Sequence, residues 1–154
     1  MPRPSYRGFR GHHLRTLREA QGWTQEQLAV RVRAFPTMIG KWERGTVAPG
    51  AANVAKLAAL FDVRPQDFCD ADPRSLSLIE LRVRSGLTRP QAADRSGISQ
   101  RRLTQYEHAT CRPTAEDAVA LGGLYDVGVG TVLGAYARDR AITYPGLPEE
   151  DRAC

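Results

Sequence analysis

The run that decides the fold is Thr24-Gln25-Glu26-Gln27-Leu28-Ala29, followed by Ile39 and then by Trp42-Glu43-Arg44-Gly45. Thr24 is an N-cap candidate, and Gln27 stands three residues later, at the capping-box spacing. Leu28, Ala29 and Val32 fall at i, i+1 and i+4, on one face of a helix over Gln25–Val32. Arg33-Ala34-Phe35 makes a turn. Pro36 suits the first position of a further helix, which turns Ile39 and Trp42 inward before Gly45 ends it. The pattern is two short helices joined by a tight turn.

The flanks continue the same punctuation. Upstream, Leu14, Leu17, Arg18 and Gln21 share a helical face, and Gly22 stops that helix as a C-terminal cap does. Downstream, Pro49-Gly50 marks a loop. Ala51–Phe61 then reads as a fourth helix, with Val54, Leu57, Leu60 and Phe61 on one side, and Pro65–Phe68 as a short fifth. No alternating, strand-like segment of useful length is present.

Sliding the chain by 64 positions aligns residues 14–68 with 78–132 without a gap, at 16 identities in 55 positions. The matches include Leu17/Leu81, Gly22/Gly86, Thr24/Thr88, Glu43/Glu107, Pro49/Pro113, Leu57/Leu121 and Asp62/Asp126. The chain therefore reads as two copies of one module. In the second copy Ser75 is expected to cap a helix ending at Arg84 and Gly86. Thr88 caps the next with Gln91, Ser99 caps the third, and residues 116–125 form the fourth. Each module is near the lower size at which a domain folds alone.

Charge is uneven along the 154 residues, whose net charge is +5. Residues 1–68 hold 11 Lys and Arg against 5 Asp and Glu, whereas residues 69–133 hold 8 of each. An excess of this sign makes an anionic partner plausible. Twenty of the 22 basic residues are arginine, which a GC-rich coding sequence explains as well as selection for phosphate binding does. No run approaches the length of a membrane span, and no secretory signal opens the chain. A cytoplasmic, nucleoid-associated protein is expected. Cys69, Cys111 and Cys154 match no zinc spacing and read as inert thiols, with a Cys69–Cys111 redox switch as the alternative. No nucleophile–base pair, metal cluster or phosphate-cradling glycine loop is legible. The expectation is a protein without cofactor or bound metal, and not an enzyme.

Residues 11–68 strongly resemble the lambda-repressor/Cro-like, or XRE-type, family of helix-turn-helix DNA-binding domains, and residues 76–132 resemble it more loosely. The resemblance implies an all-α protein of two tandem five-helix lambda-repressor-like helix-turn-helix domains. The expected division is a flexible basic arm over 1–10, domain 1 over 11–68, a linker over 69–74, domain 2 over 75–133 and a C-terminal tail over 134–154. Within that tail, residues 134–141 leave a helical extension open, and residues 143–154 read as disordered.

By the same resemblance the third helix of each copy enters the major groove of double-stranded DNA. In copy one, Gln25 falls at a phosphate or base edge and Arg44 near the backbone. Thr37 and Lys41 are the base-reading candidates, because Pro36 and Gly40 carry no side-chain donor. The family's usual turn glycine is replaced there by Arg33-Ala34-Phe35, and Phe35 is expected to pack in the turn, with contact to a thymine methyl as the alternative. In copy two, Gln100, Arg101, Thr104 and Gln105 offer groups that pair with adenine or guanine, and Arg89 stands at a phosphate position. His108-Ala109 replaces the Arg-Gly ending.

Trp42, Tyr106, Leu28, Ile39 and Leu103 read as core. Arg15, Arg18, Arg82 and Arg84 read as a solvated face. Glu43 and Glu107 are expected to make a structural hydrogen bond or ion pair to Arg18 or Arg82. The arm residues Arg3, Tyr6, Arg7, Phe9 and Arg10 suggest either a minor-groove contact or a disordered tail.

The implied function is that of a bacterial or phage transcriptional regulator acting by operator occupancy. The sequence leaves open a homodimer and a contact to RNA polymerase. It leaves open two other classes as well: a protein-interaction module of antitoxin or adaptor type, and a DNA-maintenance binder of plasmids.

Overall fold

The computed structural model describes residues 7–147. Among them are nine α-helices: α1 Gly11–Ala20, α2 Gln25–Val32, α3 Pro36–Glu43, α4 Ala51–Phe61, α5 Leu78–Arg84, α6 Arg89–Ser96, α7 Gln100–Glu107, α8 Ala115–Tyr125 and α9 Val129–Thr143. Two 3₁₀ turns, Pro65–Phe68 and Pro73–Ser75, lie between α4 and α5. The protein is all-α, and the described residues contribute to no sheet beyond one isolated bridge between Phe9 and Cys69. Arg3, Tyr6 and the stretch after Leu147 lie outside the described residues.

The caps explain the boundaries. Thr24 and Thr88 each accept from the backbone of Gln27 or Gln91, whose side chain accepts from the cap's own N–H. These reciprocal bonds satisfy N–H groups that a helix start leaves open. Ser99 and Thr114 cap α7 and α8. α2, α3 and α4 begin and end 64 residues before α6, α7 and α8. Asp62 and Asp126 follow α4 and α8 in the left-handed conformation, at φ +53° and +54°.

Each copy builds its own core. Leu14, Leu28, Val32, Ile39, Trp42, Leu57 and Phe68 form the first. Leu78, Leu81, Ile98, Leu103, Tyr106, Leu121 and Tyr125 anchor the second. At about 25 cal/mol per Å² of apolar surface, such burial is the main force holding each small module together. Trp42, Tyr106, Leu28, Ile39 and Leu103 are core as expected.

Several expectations are corrected. The cap of α5 is Ser77, in a capping box with Glu80, and not Ser75, which belongs to the preceding 3₁₀ turn. Residues 134–143 are no tail. They continue α9, whose Val132, Ala135 and Tyr136 are buried in the second core. Polar ties add to this packing: Leu78 N donates to Asp139 Oδ2 at 3.1 Å, Arg138 to Leu76 O at 2.9 Å and Arg140 to Ala109 O at 3.1 Å. The described end of the arm is bound as well, because Asp70 N donates to Gly8 O and Arg10 N to Phe68 O. Cys111 is disulfide-bonded and is therefore not the inert thiol expected, whereas Cys69 is a free thiol.

If α9 completes domain 2, Tyr136→Ala leaves a cavity and lowers the stability of that domain by about 3 kcal/mol. Chemical denaturation followed by a probe in domain 2 measures it. A loss below about 0.5 kcal/mol, as at a surface position, would return residue 136 to a tail.

Candidate nucleic-acid interface

Each domain holds its two-helix unit with one buried carboxylate. In domain 1, Glu43 at the end of α3 accepts from Arg18 of α1 through Nε at 2.6 Å and Nη2 at 3.1 Å. Arg18 also donates to Trp23 O at 2.6 Å. Gln25, the first residue of α2, donates its side-chain amide to Glu43 Oε2 at 2.9 Å. Domain 2 repeats the cluster 64 residues on. Arg82 binds Glu107 and donates to Leu87 O at 2.9 Å, and Arg89 binds Glu107 through Nε at 3.0 Å. Three helices thus meet on one carboxylate in each copy.

The expected ion pairs to Glu43 and Glu107 are present. Arg18 and Arg82 are buried, however, and do not belong to a solvated first-helix face. Hydrogen bonding to the glutamate raises the Arg18 pKa against the opposing effect of burial. What the sequence reading missed is the third member, Gln25 or Arg89. No sequence signal marks that contact, which depends on how the second helix of each copy sits against the third.

The cluster orients the outer face of domain 1. The N-termini of α2 and α3 open onto a concavity of about 690 Å³. Gln25, Thr37, Lys41 and Arg44 all line it, together with Pro36 and Gly40. The four candidate residues of copy one are therefore brought to one place. Gly40 is buried, and a Cβ there would stand 3.0 Å from Arg44 Nη1 and 3.3 Å from Gln25 Oε1. The missing side chain leaves room for both across the gap between α2 and α3.

In domain 2, Gln100 and Arg101 are exposed at the start of α7, and Thr104 and Gln105 are half-buried one turn on. The Thr104 hydroxyl donates to Gln100 O at 2.7 Å. Arg89 keeps 34% of its side chain exposed while paired with Glu107. Arg102 turns away from this face: it binds Asp117 at 2.7 Å and donates to the Tyr106 hydroxyl at 3.0 Å. Tyr106 in turn donates to Asp117, so an Arg-Tyr-Asp network ties α7 to α8 where domain 1 has the apolar Trp42.

Phe35 is also corrected. It is the N-cap residue of α3 and is 75% exposed, so it does not pack in the turn. Arg33 takes the left-handed conformation, φ +55°, that Gly97 takes at +74° in copy two. His108 is exposed. No group of three or more His, Cys, Asp and Glu able to hold a metal occurs among the described residues. No single described helix is long and apolar enough to cross a membrane.

Glu107→Gln leaves Arg82 buried without a full counter-charge. It is expected to destabilise domain 2 by about 3–5 kcal/mol. Arg15→Ala, which removes only the exposed Arg15–Glu19 pair, changes stability by less than about 1 kcal/mol. Denaturant melts of the two variants compare these. Equal small losses would show that the buried carboxylate does not hold the helices.

Comparison with known proteins agrees with this geometry. Residues 14–68 match the family model described as Helix-turn-helix, and residues 77–133 match the model described as Helix-turn-helix domain. No curated protein and no solved structure matches the chain. Two family matches in series, on two copies of one helical unit, place the chain in the helix-turn-helix family of XRE type, as two tandem domains of the kind found in DNA-binding regulators.

Proposed function

We propose that the protein is a sequence-specific binder of double-stranded DNA, acting as a bacterial or phage transcriptional regulator by occupying an operator. The observation that carries this reading is the convergence of Gln25, Thr37, Lys41 and Arg44 on one open concavity at the N-terminal ends of α2 and α3. Helix N-termini favour anions, because their free N–H groups and dipole face outward. Lys41 and Arg44 line the same concavity and outnumber the carboxylate of Glu26 there, which suits a phosphate backbone.

Both copies carry base-reading groups. α3 of domain 1 offers Thr37 and Lys41, since Pro36 and Gly40 carry none, and Arg44 supplies phosphate attraction. α7 of domain 2 offers Gln100 and Arg101 to base edges, where an amide pairs with adenine and a guanidinium with guanine. Thr104 and Gln105 follow on the next turn, and Arg89 extends its exposed edge toward phosphate. The residues charged with recognition in this reading are therefore Gln25, Thr37, Lys41, Arg44, Arg89, Gln100, Arg101, Thr104 and Gln105.

Selection of bound sequences from random duplexes at ~150 mM salt tests the reading, because phosphate attraction alone is weak there. An enriched motif is expected. Arg101→Ala relaxes one base position and costs ~1–3 kcal/mol on the preferred site. Lys41→Ala relaxes a base position in the other half of the motif. No enrichment, with tight capture of a protein partner instead, would replace the regulator by an interaction module.

A further inference from the structure

The two domains are packed on each other as well as joined. α4 and the 3₁₀ turn Pro65–Phe68 lie against α5. Gly86 sits in that seam with φ +68°, and a Cβ there would stand 3.1 Å from Pro65 Cγ and 3.3 Å from Ala55 Cα. The equivalent glycine of domain 1, Gly22, has φ +69° and nothing within 4 Å. Both positions need the left-handed conformation that glycine adopts freely. Only at Gly86 would a side chain also crowd domain 1.

A second tie runs from the opposite end of domain 1. The segment before α1 accepts from the linker, Asp70 N donating to Gly8 O, and its Arg10 N donates to Phe68 O at the end of domain 1. Gly8, at φ +80°, lies so close to Ala71 that a Cβ would clash with it. Arg7 then reaches domain 2. Its Nε and Nη2 donate to the two carboxylate oxygens of Glu80 at 2.8 and 3.0 Å, and Nη2 donates to Ser75 O at 2.9 Å. Glu80 is only 5% exposed and also accepts from Ser77 N at the start of α5. A bidentate pair with a buried carboxylate fixes both distance and orientation. Arg7 is thus a strap from the entry of domain 1 to the first helix of domain 2.

We infer that the two domains form one rigid reading body. Resting on the DNA-binding reading above, the partner is then a duplex with two unequal half-sites at a single separation, and Arg7 and Gly86 are the residues that set that separation. A six-residue linker on its own leaves play of about 20 Å, and two heads on such a tether tolerate a range of spacings. A rigid body does not. Each inserted base pair moves one half-site by ~3.4 Å and turns it by about a tenth of a revolution, which takes its groove away from the helix meant to read it.

The test begins with the motif selected by the wild-type protein and inserts one or two base pairs between its halves. Wild-type affinity is expected to fall about 100-fold or more with one inserted pair, because one head is lost. The double variant Arg7→Ala, Gly86→Ala keeps the same half-site sequences but loses less than about 10-fold. Gly22→Ala carries the same backbone strain without the seam contact, and it keeps the wild-type spacing dependence. Where Gly86→Ala damages folding, Arg7→Ala alone serves, since the Arg7 side chain is 63% exposed.

A readout without DNA separates the two claims. Backbone ¹⁵N relaxation of the full chain gives one rotational correlation time for both domains of the wild type, and two for the double variant. A wild-type motif that tolerates inserted pairs, or two correlation times in the wild type, overturns the rigid body. One correlation time and unchanged spacing dependence in the double variant overturn the roles of Arg7 and Gly86. If no motif is enriched at all, the DNA reading and the operator geometry fall together, while relaxation still decides whether the body is rigid.

Discussion

The structure depends on a carboxylate buried at the end of the third helix of each copy. Glu43 and Glu107 each accept from an arginine of the first helix and from the first residue of the second. Taking such charges out of water is costly, and the cost is offset only when the geometry is good and each oxygen is engaged. That condition is a constraint on helix positions. If the third helix slides, the arginine loses its partner in a dry place. The pair therefore acts less as a source of net stability than as a fixed joint between three short helices, none long enough to be stable alone.

The joint also decides what faces outward. With Glu43 holding Gln25 and Arg18 on the inner side, Thr37, Lys41 and Arg44 line an open concavity. Domain 2 uses the same joint with an arginine, Arg89, in place of Gln25. It adds an Arg102-Tyr106-Asp117 network behind α7. The second copy has thus paired Arg89 and Arg102 with carboxylates, and keeps Gln100 and Arg101 exposed.

Much of the fold was legible because local rules and the repeat agreed. Thr24 with Gln27, Thr88 with Gln91, and Ser99 marked helix starts that the structure reproduces, and Ala51–Phe61 was read at its full length. The failures have physical causes. Ser75 and Ser77 are both able caps, and the choice turned on Glu80, three residues after Ser77, which also receives Arg7 from far away in sequence. α9 was cut short because its copy-one equivalent is the 3₁₀ turn Pro65–Phe68, after which the chain leaves for the linker. Its buried residues Val132, Ala135 and Tyr136 span little more than one turn, between Gly130 and the charged run Arg138-Asp139-Arg140, so the stripe is short until α5 and α8 are seen beside it. The candidate site was legible as positions, since the motif spacing located Gln25, Thr37, Lys41 and Arg44. The exposure of Phe35 and the capture of Arg89 by Glu107 were not, because both depend on how α3 and α6 sit in three dimensions.

The central claim is that both domains present the N-terminal ends of their second and third helices to duplex DNA. Amide chemical-shift mapping of the full chain, titrated with duplex carrying the selected motif at ~150 mM salt, tests it most directly, because nonspecific phosphate attraction is suppressed there. The account predicts that the largest changes fall at residues 24–26, 36–44, 88–90 and 99–105, in both copies together. Changes confined to one copy, or centred on α4, α8 and α9, would contradict it.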